Sequence, residues 1–497
     1  MGGFAYGAVF GNKLEHFGPR VTGMIGSASL LAGFALVGVA SGMHNLPLLY
    51  AGGAVWGLAN GWSYVPPVAT LVKWFPERKG FASGMCLLGY GGGAIIAAPL
   101  FTTLVDRFKV LPHYVGAADD IDIINHDGKL FVEMNEVTKE VVVAAASDIQ
   151  SSGFSDLAQA GVYLTNTGST GVVETLMVMG CGYSVVMLGC AFVFRLPPEH
   201  FVPPGLVVTE EENSQTLTTH NTSVEDAMKS KQFWLLYAGF GTAIIGAYGL
   251  ISSAKLMMNE TFGSALPHLV TTGFTTSFVA AMSAANLTGR LAYPLLSDAL
   301  GKKIGGDPFW GRKYTYTGMW ATTPFLYGGI IYSVHSCSEA AGPIPLGIFA
   351  GSVLGILSSF GGATSNRPAM VADLFGIKSM STITARQLSV VLPAAFIGPQ
   401  IVAQSRQSSS EKAIFQLAEQ VDDAVFHHAF GAGKETLSIL IQNKSISIAR
   451  LMEMLPSSVQ DPTPFLYDNA MIICGGLNCL ALAANLLTVP LDREPEK

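Results

Sequence analysis

Two arginines stand in apolar company. Arg290 lies in NLTGRLAYPLLSDALGKK (Asn286–Lys303) and Arg386 in STITARQLSVVLP (Ser381–Pro393). A guanidinium is permanently charged and planar, and it offers five N–H donors in a fork that meets a carboxylate with two parallel hydrogen bonds. The chemistry such a pair could do is anion recognition. Asn286 precedes Arg290 by four residues and cannot titrate. How much the two charges cost depends on the elements that carry them.

Those elements are membrane helices. The chain has 497 residues, of which 49% are hydrophobic and only 13% charged, with a mean hydropathy of +0.41. A soluble chain would be roughly 25% charged. The net charge of -7 sits largely in polar connections. No basic stripe with interleaved aromatics occurs, so nothing suggests nucleic acid as a partner. The six cysteines (Cys86, Cys181, Cys190, Cys337, Cys474, Cys479) mostly fall in apolar runs without C-x-x-C spacing, so they read as small packing residues. Nothing asks for a metal or a cofactor. H-E-x-x-H, G-x-S-x-G and G-x-x-x-x-G-K-[ST] are absent, and GYGGGA (Gly89–Ala94) follows no strand, so it reads as helix packing.

Apolar stretches of spanning length lie at about Val21–Ser41, Pro47–Val72, Phe81–Val105, Val172–Phe194, Phe233–Ala254, His268–Leu296, Thr315–His335, Pro343–Val371, Thr382–Gln404 and Tyr467–Val489. Gly53, Gly57 and Gly61 recur every four residues and predict a smooth face for close helix packing. Met1–Phe10 is half the length of a span and lacks the basic flank of a signal peptide, so it reads as the end of a span that begins before this sequence.

Lys13, Arg20, Lys73, Arg78, Lys79, Lys302, Lys303, Arg312 and Lys313 fall in one set of connections, which the positive-inside rule makes cytoplasmic. The acidic stretch 195–232 then links an N-terminal half (1–194) to a C-terminal half (233–497) inside the cell, with a short amphipathic helix near Val224–Ser230. Two long inserts, 106–171 and 405–466, fall outside. KLFVEMN and KEVVVAAA in the first predict strands. Ile414, Leu417, Val421 and Val425 in the second have helical spacing. Asn443-Lys444-Ser445 and Asn259-Glu260-Thr261 are outward-facing sequons.

On this layout Arg290 is about eight residues, or about 12 Å, from the end of its span at Asp298. That is near the middle of a hydrocarbon core about 30 Å thick. Arg386 sits at a similar depth. Each costs roughly 2.5–3.5 kcal/mol or more there. No acid lies at mid-span depth: Glu174 and Asp468 sit near outer ends, Asp298 and Asp373 near inner ones. A visiting carboxylate is the cheaper explanation for both arginines. Trp62, Tyr64, Tyr90 and Tyr248 are candidate cavity walls.

GNKLEHFGPR (Gly11–Arg20) and PLLSDALGKK (Pro294–Lys303) share a pattern at the same point of each half. Glu15 matches Asp298, Gly18 matches Gly301, and Arg20 matches Lys303, with Gly11 opening the first copy and Lys302 preceding Lys303 in the second. The motif resembles the signature loop of the major facilitator superfamily, found between spans 2 and 3 and again between 8 and 9. Its charges at a helix end can hold a neighbouring helix and keep one face shut. The resemblance implies an all-α membrane fold of two pseudo-symmetric six-helix halves, with span 1 and half of span 2 missing here.

Narrower blocks resemble the oxalate/formate antiporter family: NGWSYVPPVATLVKWFPERKGFASGMCLLGYGGGA (Asn60–Ala94) its fourth and fifth spans, KQFWLLYAGFGTAIIGAYGLIS (Lys231–Ser252) its seventh, and FGGATSNRPAMVADLFGIK (Phe360–Lys378) its tenth. The resemblance implies a multi-pass membrane transporter and no enzyme, working as a monomer on small carboxylate anions. It implies basic substrate-binding residues in spans 8 and 11. Arg290 matches the family's arginine, and Arg386 stands where well-known members carry lysine. Proton-coupled monocarboxylate porters also resemble the chain, but carry an acid where Asn286 stands. A carboxylate sensor that does not transport is a further alternative, to which the two inserts lend some support.

Overall fold

The computed structural model describes residues 18–74, 79–117, 120–126, 129–134, 137–144, 160–195, 198, 222–304, 308–376, 380–430, 433–443, 445–456 and 458–491. All ten apolar stretches are helical. They are α1 (Gly18–Gly42), α2 (Leu46–Trp74), α3 (Lys79–Phe108), α4 (Val172–Val193), α6 (Lys231–Phe262), α7 (Thr272–Lys303), α8 (Pro308–Glu339), α9 (Pro343–Phe375), the pair α10 (Met380–Leu388) and α11 (Val391–Gln420), and α15 (Asp468–Leu487). A short helix α5 (Val224–Lys229) precedes α6, with Ser223 accepting from the Asp226 amide as its N-cap. A helix satisfies its own backbone, which is why runs of this composition take that form in lipid. Six segments among the described residues are long and apolar enough to cross a membrane by length and composition: Gly18–Gly42, Val172–Val193, Lys231–Phe262, Pro343–Phe375, Arg386–Gln420 and Thr463–Leu487.

Small residues set how closely these helices pack. A methyl group on Gly33 of α1 would lie 2.7 Å from the backbone nitrogen of Trp56, and one on Gly52 of α2 would lie 2.8 Å from that of Val37. The close face of α2 therefore includes Gly52. Of the predicted glycine stripe, Gly57 and Gly61 are buried, whereas Gly53 has open space beside it. Phe34 and Trp56 meet at a tilt across the same contact, with ring centres 4.5 Å apart.

Two apolar clusters fill the helices from α6 onward. One joins Phe233, Phe240, Ile244, Tyr316, Trp320, Met370, Phe375 and Val391. The other joins Leu250, Met257, Phe262, Tyr327 and Phe349 to Phe426, Leu451 and Tyr467. The second cluster runs without interruption into the insert 405–466.

That insert is helical. α11 continues to Gln420, followed by α12 (Asp423–Phe430), α13 (Leu437–Gln442) and α14 (Ile448–Glu453). Ile414, Leu417 and Val421 are buried as their spacing predicts, but Val425 is 47% exposed. The chain turns extended at Val421, which breaks the register and puts Phe426 inward, fully buried.

The first insert is a five-stranded antiparallel sheet. Its strands are β1 (Tyr114–Gly116), β2 (Ile124–His126), β3 (Lys129–Met134), β4 (Val137–Ala144) and β5 (Gly161–Leu164), in the order β1-β5-β4-β3-β2. β3 and β4 are the two strands expected from sequence, paired with Val132 opposite Lys139. Val132, Val141, Val162 and Leu164 form a small core of their own.

The stretch Thr382–Gln404 departs from expectation, being two helices instead of one. Ser389 and Val390 form a turn between α10 and α11, closed by tighter bonds from the Ser389 amide to the Arg386 carbonyl and from the Val390 amide to the Gln387 carbonyl, both 3.3 Å. Pro393 supplies the reason. It has no N–H for the carbonyl of Ser389, and proline is tolerated in the first turn of a helix, so a new helix starts at Val391.

Phe426→Ala tests whether the second insert belongs to the main core. The expected cost is about 3–5 kcal/mol, as for other fully buried aromatics. A thermal unfolding scan in detergent should show the transition of the whole chain moving down, rather than a separate early transition of the insert.

Candidate functional site

Arg290 sits where three helices meet. α7 crosses α9 with backbones in contact: a methyl on Gly289 would fall 2.0 Å from the Ser358 carbonyl oxygen, and one on Gly361 would fall 2.1 Å from that of Asn286. This crossing fixes the rotation of α7. Arg290 is half-buried, and its Nε donates to Asn286 Oδ1 at 3.0 Å, one turn back along the helix.

On the side of α3 the guanidinium lies over Gly91. A methyl there would stand 3.0 Å from Arg290 Nε and 3.1 Å from Cδ. The seam between α3 and α7 continues along both helices. Ser283 Oγ donates to the Gly91 carbonyl at 2.7 Å, and Thr102 and Thr276 hydroxyls are 3.2 Å apart. Gly92 packs on Leu287, while Gly89 and Gly93 face open space. The GYGGGA run thus makes room for a neighbouring helix and for one arginine.

Arg386 is exposed, and its neighbour Gln387 is fully buried. Both lie in α10, just before the turn at Ser389 and Val390. A third arginine, Arg367 in α9, is only 4% exposed. Its Nε donates to Gln387 Oε1 at 3.2 Å, and its guanidinium carbon lies 4.1 Å from the centre of the Phe240 ring. Sequence reasoning passed over Arg367 as part of a family block. Its signal was a base flanked by Asn366 and Pro368 within an apolar stretch.

Of the expected cavity walls, Tyr248 is half-buried and packs edge-on against Phe360 at 5.5 Å. Trp62 is also half-buried. The side chains of Tyr64 and Tyr90 lie outside the described residues, as do Gly11 and Glu15. Gly18 starts α1 with a left-handed φ of 77°, which glycine adopts without strain, and Arg20 is exposed.

The second copy of the charged motif is well defined. Asp298 Oδ1 accepts from Arg312 Nη1 at 3.2 Å, and Asp373 Oδ2 accepts from Arg312 Nε at 2.5 Å. Ser297 Oγ lies 3.1 Å from the same Nη1. Gly301 is buried because α8 presses on it: a methyl on Gly311 would be 2.5 Å from the Gly301 nitrogen. Lys302 and Lys303 are exposed. The acid's partner is therefore Arg312, and the contact ties together α7, α8 and α9 at one end of the bundle.

At the opposite end, Glu260 takes two hydrogen bonds from Arg406, through Nε at 3.1 Å and through Nη2, and one from the Tyr467 hydroxyl at 2.7 Å. A cavity of about 620 Å³ lies beside this cluster, walled by Leu256, Val402, Arg406, Ile414 and Ile446. It is separate from Arg290.

Residues 1–115 match the family model described as Major Facilitator Superfamily. The oxalate:formate antiporter of Oxalobacter formigenes is 22% identical over 368 residues, covering 74% of this chain and 64% of that protein. The apicoplast pyruvate carrier 1 of Toxoplasma gondii is 23% identical over 365 residues, covering 70% and 58%. The chain thus spans somewhat less than two thirds of the length of these two relatives. Among solved structures, a bacterial homolog to the human lysosomal transporter Spinster, in an inward-facing and occupied conformation, superposes with a TM-score of 0.54 at 12% identity, covering 95% of this chain and 81% of that one. This likeness concerns the fold.

The seam between α3 and α7 can be tested by cross-linking. Thr102→Cys with Thr276→Cys should form a disulfide under mild oxidation, because the parent hydroxyls are 3.2 Å apart and a disulfide needs neighbouring Cβ atoms about 3.5–4.5 Å apart. Detection on a gel requires only a protease cut between the two helices. Failure of this pair to cross-link, while an α1–α2 pair succeeds, would contradict the seam.

Proposed function

We infer that this chain, a multi-pass membrane transporter of the major facilitator superfamily that resembles the oxalate/formate antiporters, carries small carboxylates by alternating access and exchanges one for another. The observation that carries the reading is Arg290: a guanidinium at the seam of α3 and α7, its plane fixed by the neutral Asn286 and seated over Gly91. A planar fork held in one orientation suits a carboxylate, which it meets with two parallel hydrogen bonds. Arg386 is the second proposed ligand. Asn286, Trp62, Tyr64, Tyr90 and Tyr248 complete the proposed substrate-binding set.

Exchange follows from charge. An empty site that carries two cations through a dry intermediate is costly, since each charge at depth costs roughly 2.5–3.5 kcal/mol or more. A dianion or two monoanions cancel that cost. Rocking of one helix bundle against the other is then favoured when the site is loaded. Asn286 stands where the proton-coupled porters that the chain resembles carry an acid, and it cannot titrate. The likeness to an antiporter named for oxalate and formate and to a pyruvate carrier supports small carboxylates as the class.

Counterflow in liposomes with labelled oxalate, formate, pyruvate and lactate tests the reading. At least one of them should exchange, and Arg290→Gln and Arg386→Gln should each lower counterflow by roughly tenfold or more while still inserting, since each removes a charge-assisted contact to the anion. Full activity in either variant would remove that arginine from the site.

A further inference from the structure

The turn at Ser389–Val390 has a consequence for Arg386. A continuous helix would fix the rotation of every residue along it. Here α10 is joined to α11 through two turn residues whose amides bond three residues back rather than four, so side-chain contacts share in fixing how α10 is turned about its axis. Ile383 and Gln387, four residues apart, are both fully buried and define one face. Arg386 stands about 100° around the helix from Gln387 and is exposed.

We propose that Arg367 and Gln387 are positioning residues that set the rotation of α10 and thereby hold Arg386 outward. Gln387 Oε1 accepts from Arg367 Nε at 3.2 Å, which ties α10 to α9. The amide nitrogen of Gln387 lies 3.5 Å from the Phe233 carbonyl of α6. Arg367 is itself held, its guanidinium lying 4.1 Å from the Phe240 ring centre. The Phe233 and Phe240 side chains of α6 are both buried, so the anchor is a packed wall.

An apolar residue at 367 would fill this space with less desolvation cost. It would also grip α10 over a range of rotations. A hydrogen bond has a direction, and a buried amide has one way to meet it. The pair therefore specifies orientation, and what it orients is the adjacent residue.

Thiol labelling in purified full-length protein tests this. Arg386→Cys and, separately, Ile383→Cys are reacted with a charged methanethiosulfonate, and the labelling of the parent chain's own cysteines is subtracted. With Arg367 intact, position 386 should label fast and position 383 slowly. Adding Arg367→Gln should slow 386 and speed 383, each by roughly tenfold, the scale of one buried charge-assisted hydrogen bond. Gln387→Leu with Arg386→Cys should slow labelling in the same direction, and carries the test if Arg367→Gln fails to fold. Unchanged rates would overturn the proposal, and so would a rise at both positions, which signals general loosening. The consequence for transport rests on the reading of Arg386 above. Labelling does not, so the two can fail separately: in Arg367→Gln the KM for the exchanged carboxylate should rise more than turnover falls.

Discussion

The structure is organised around the cost of placing a guanidinium where water is scarce, and around the different ways that cost is met. At the two ends of the bundle the partner is a carboxylate. Arg312 is held by Asp298 and Asp373, and Arg406 by Glu260 with Tyr467 behind it. Paired charges of this kind fasten helices. Deeper in, the named partners are neutral: Asn286 for Arg290, and the Gln387 amide with the Phe240 face for Arg367. An amide orients a guanidinium through a directed hydrogen bond. The first kind of arrangement suits a latch, the second a site that takes an anion or aims a helix.

Glycine makes the second kind possible. Gly289 and Gly361 bring the backbones of α7 and α9 into contact, so that Asn286 and Arg290 are held by the crossing itself. Gly91 leaves the space that the Arg290 side chain occupies over α3. In lipid, helices gain little from hiding apolar surface from one another, and close packing of small residues carries more of the association. The same residues that let the helices approach therefore shape the position of the charge.

Much of this was legible in the sequence. Ten apolar runs became ten helical segments because spanning length and internal backbone satisfaction leave few other choices. The short runs of β-branched and aromatic residues in KLFVEM and KEVVVA marked β3 and β4. The three-residue strands β1 and β2 carry too few residues to show a period. The break at Ser389 was signalled by Pro393 but masked by the apolar run around it. Neighbours on a helix differ by about 100° of rotation, so an apolar run without a clear period did not show that Gln387 would be the buried residue and Arg386 the exposed one. Arg367 was legible as a base in a span, but its setting was not, because Phe240 and Gln387 come from distant parts of the chain. Arg312 was read only as a cytoplasmic charge, since pairing with both Asp298 and Asp373 needs three helix ends in one place.

The most direct test of the central claim is ligand-dependent stability. A small carboxylate that binds the folded state raises the unfolding midpoint in proportion to the logarithm of its concentration over Kd. Purified protein titrated with oxalate and formate should show a saturable rise that is lost in Arg290→Gln and not reproduced by chloride at equal ionic strength. An equal rise in Arg290→Gln, or from chloride, would mean that the Arg290 guanidinium is not where the carboxylate binds.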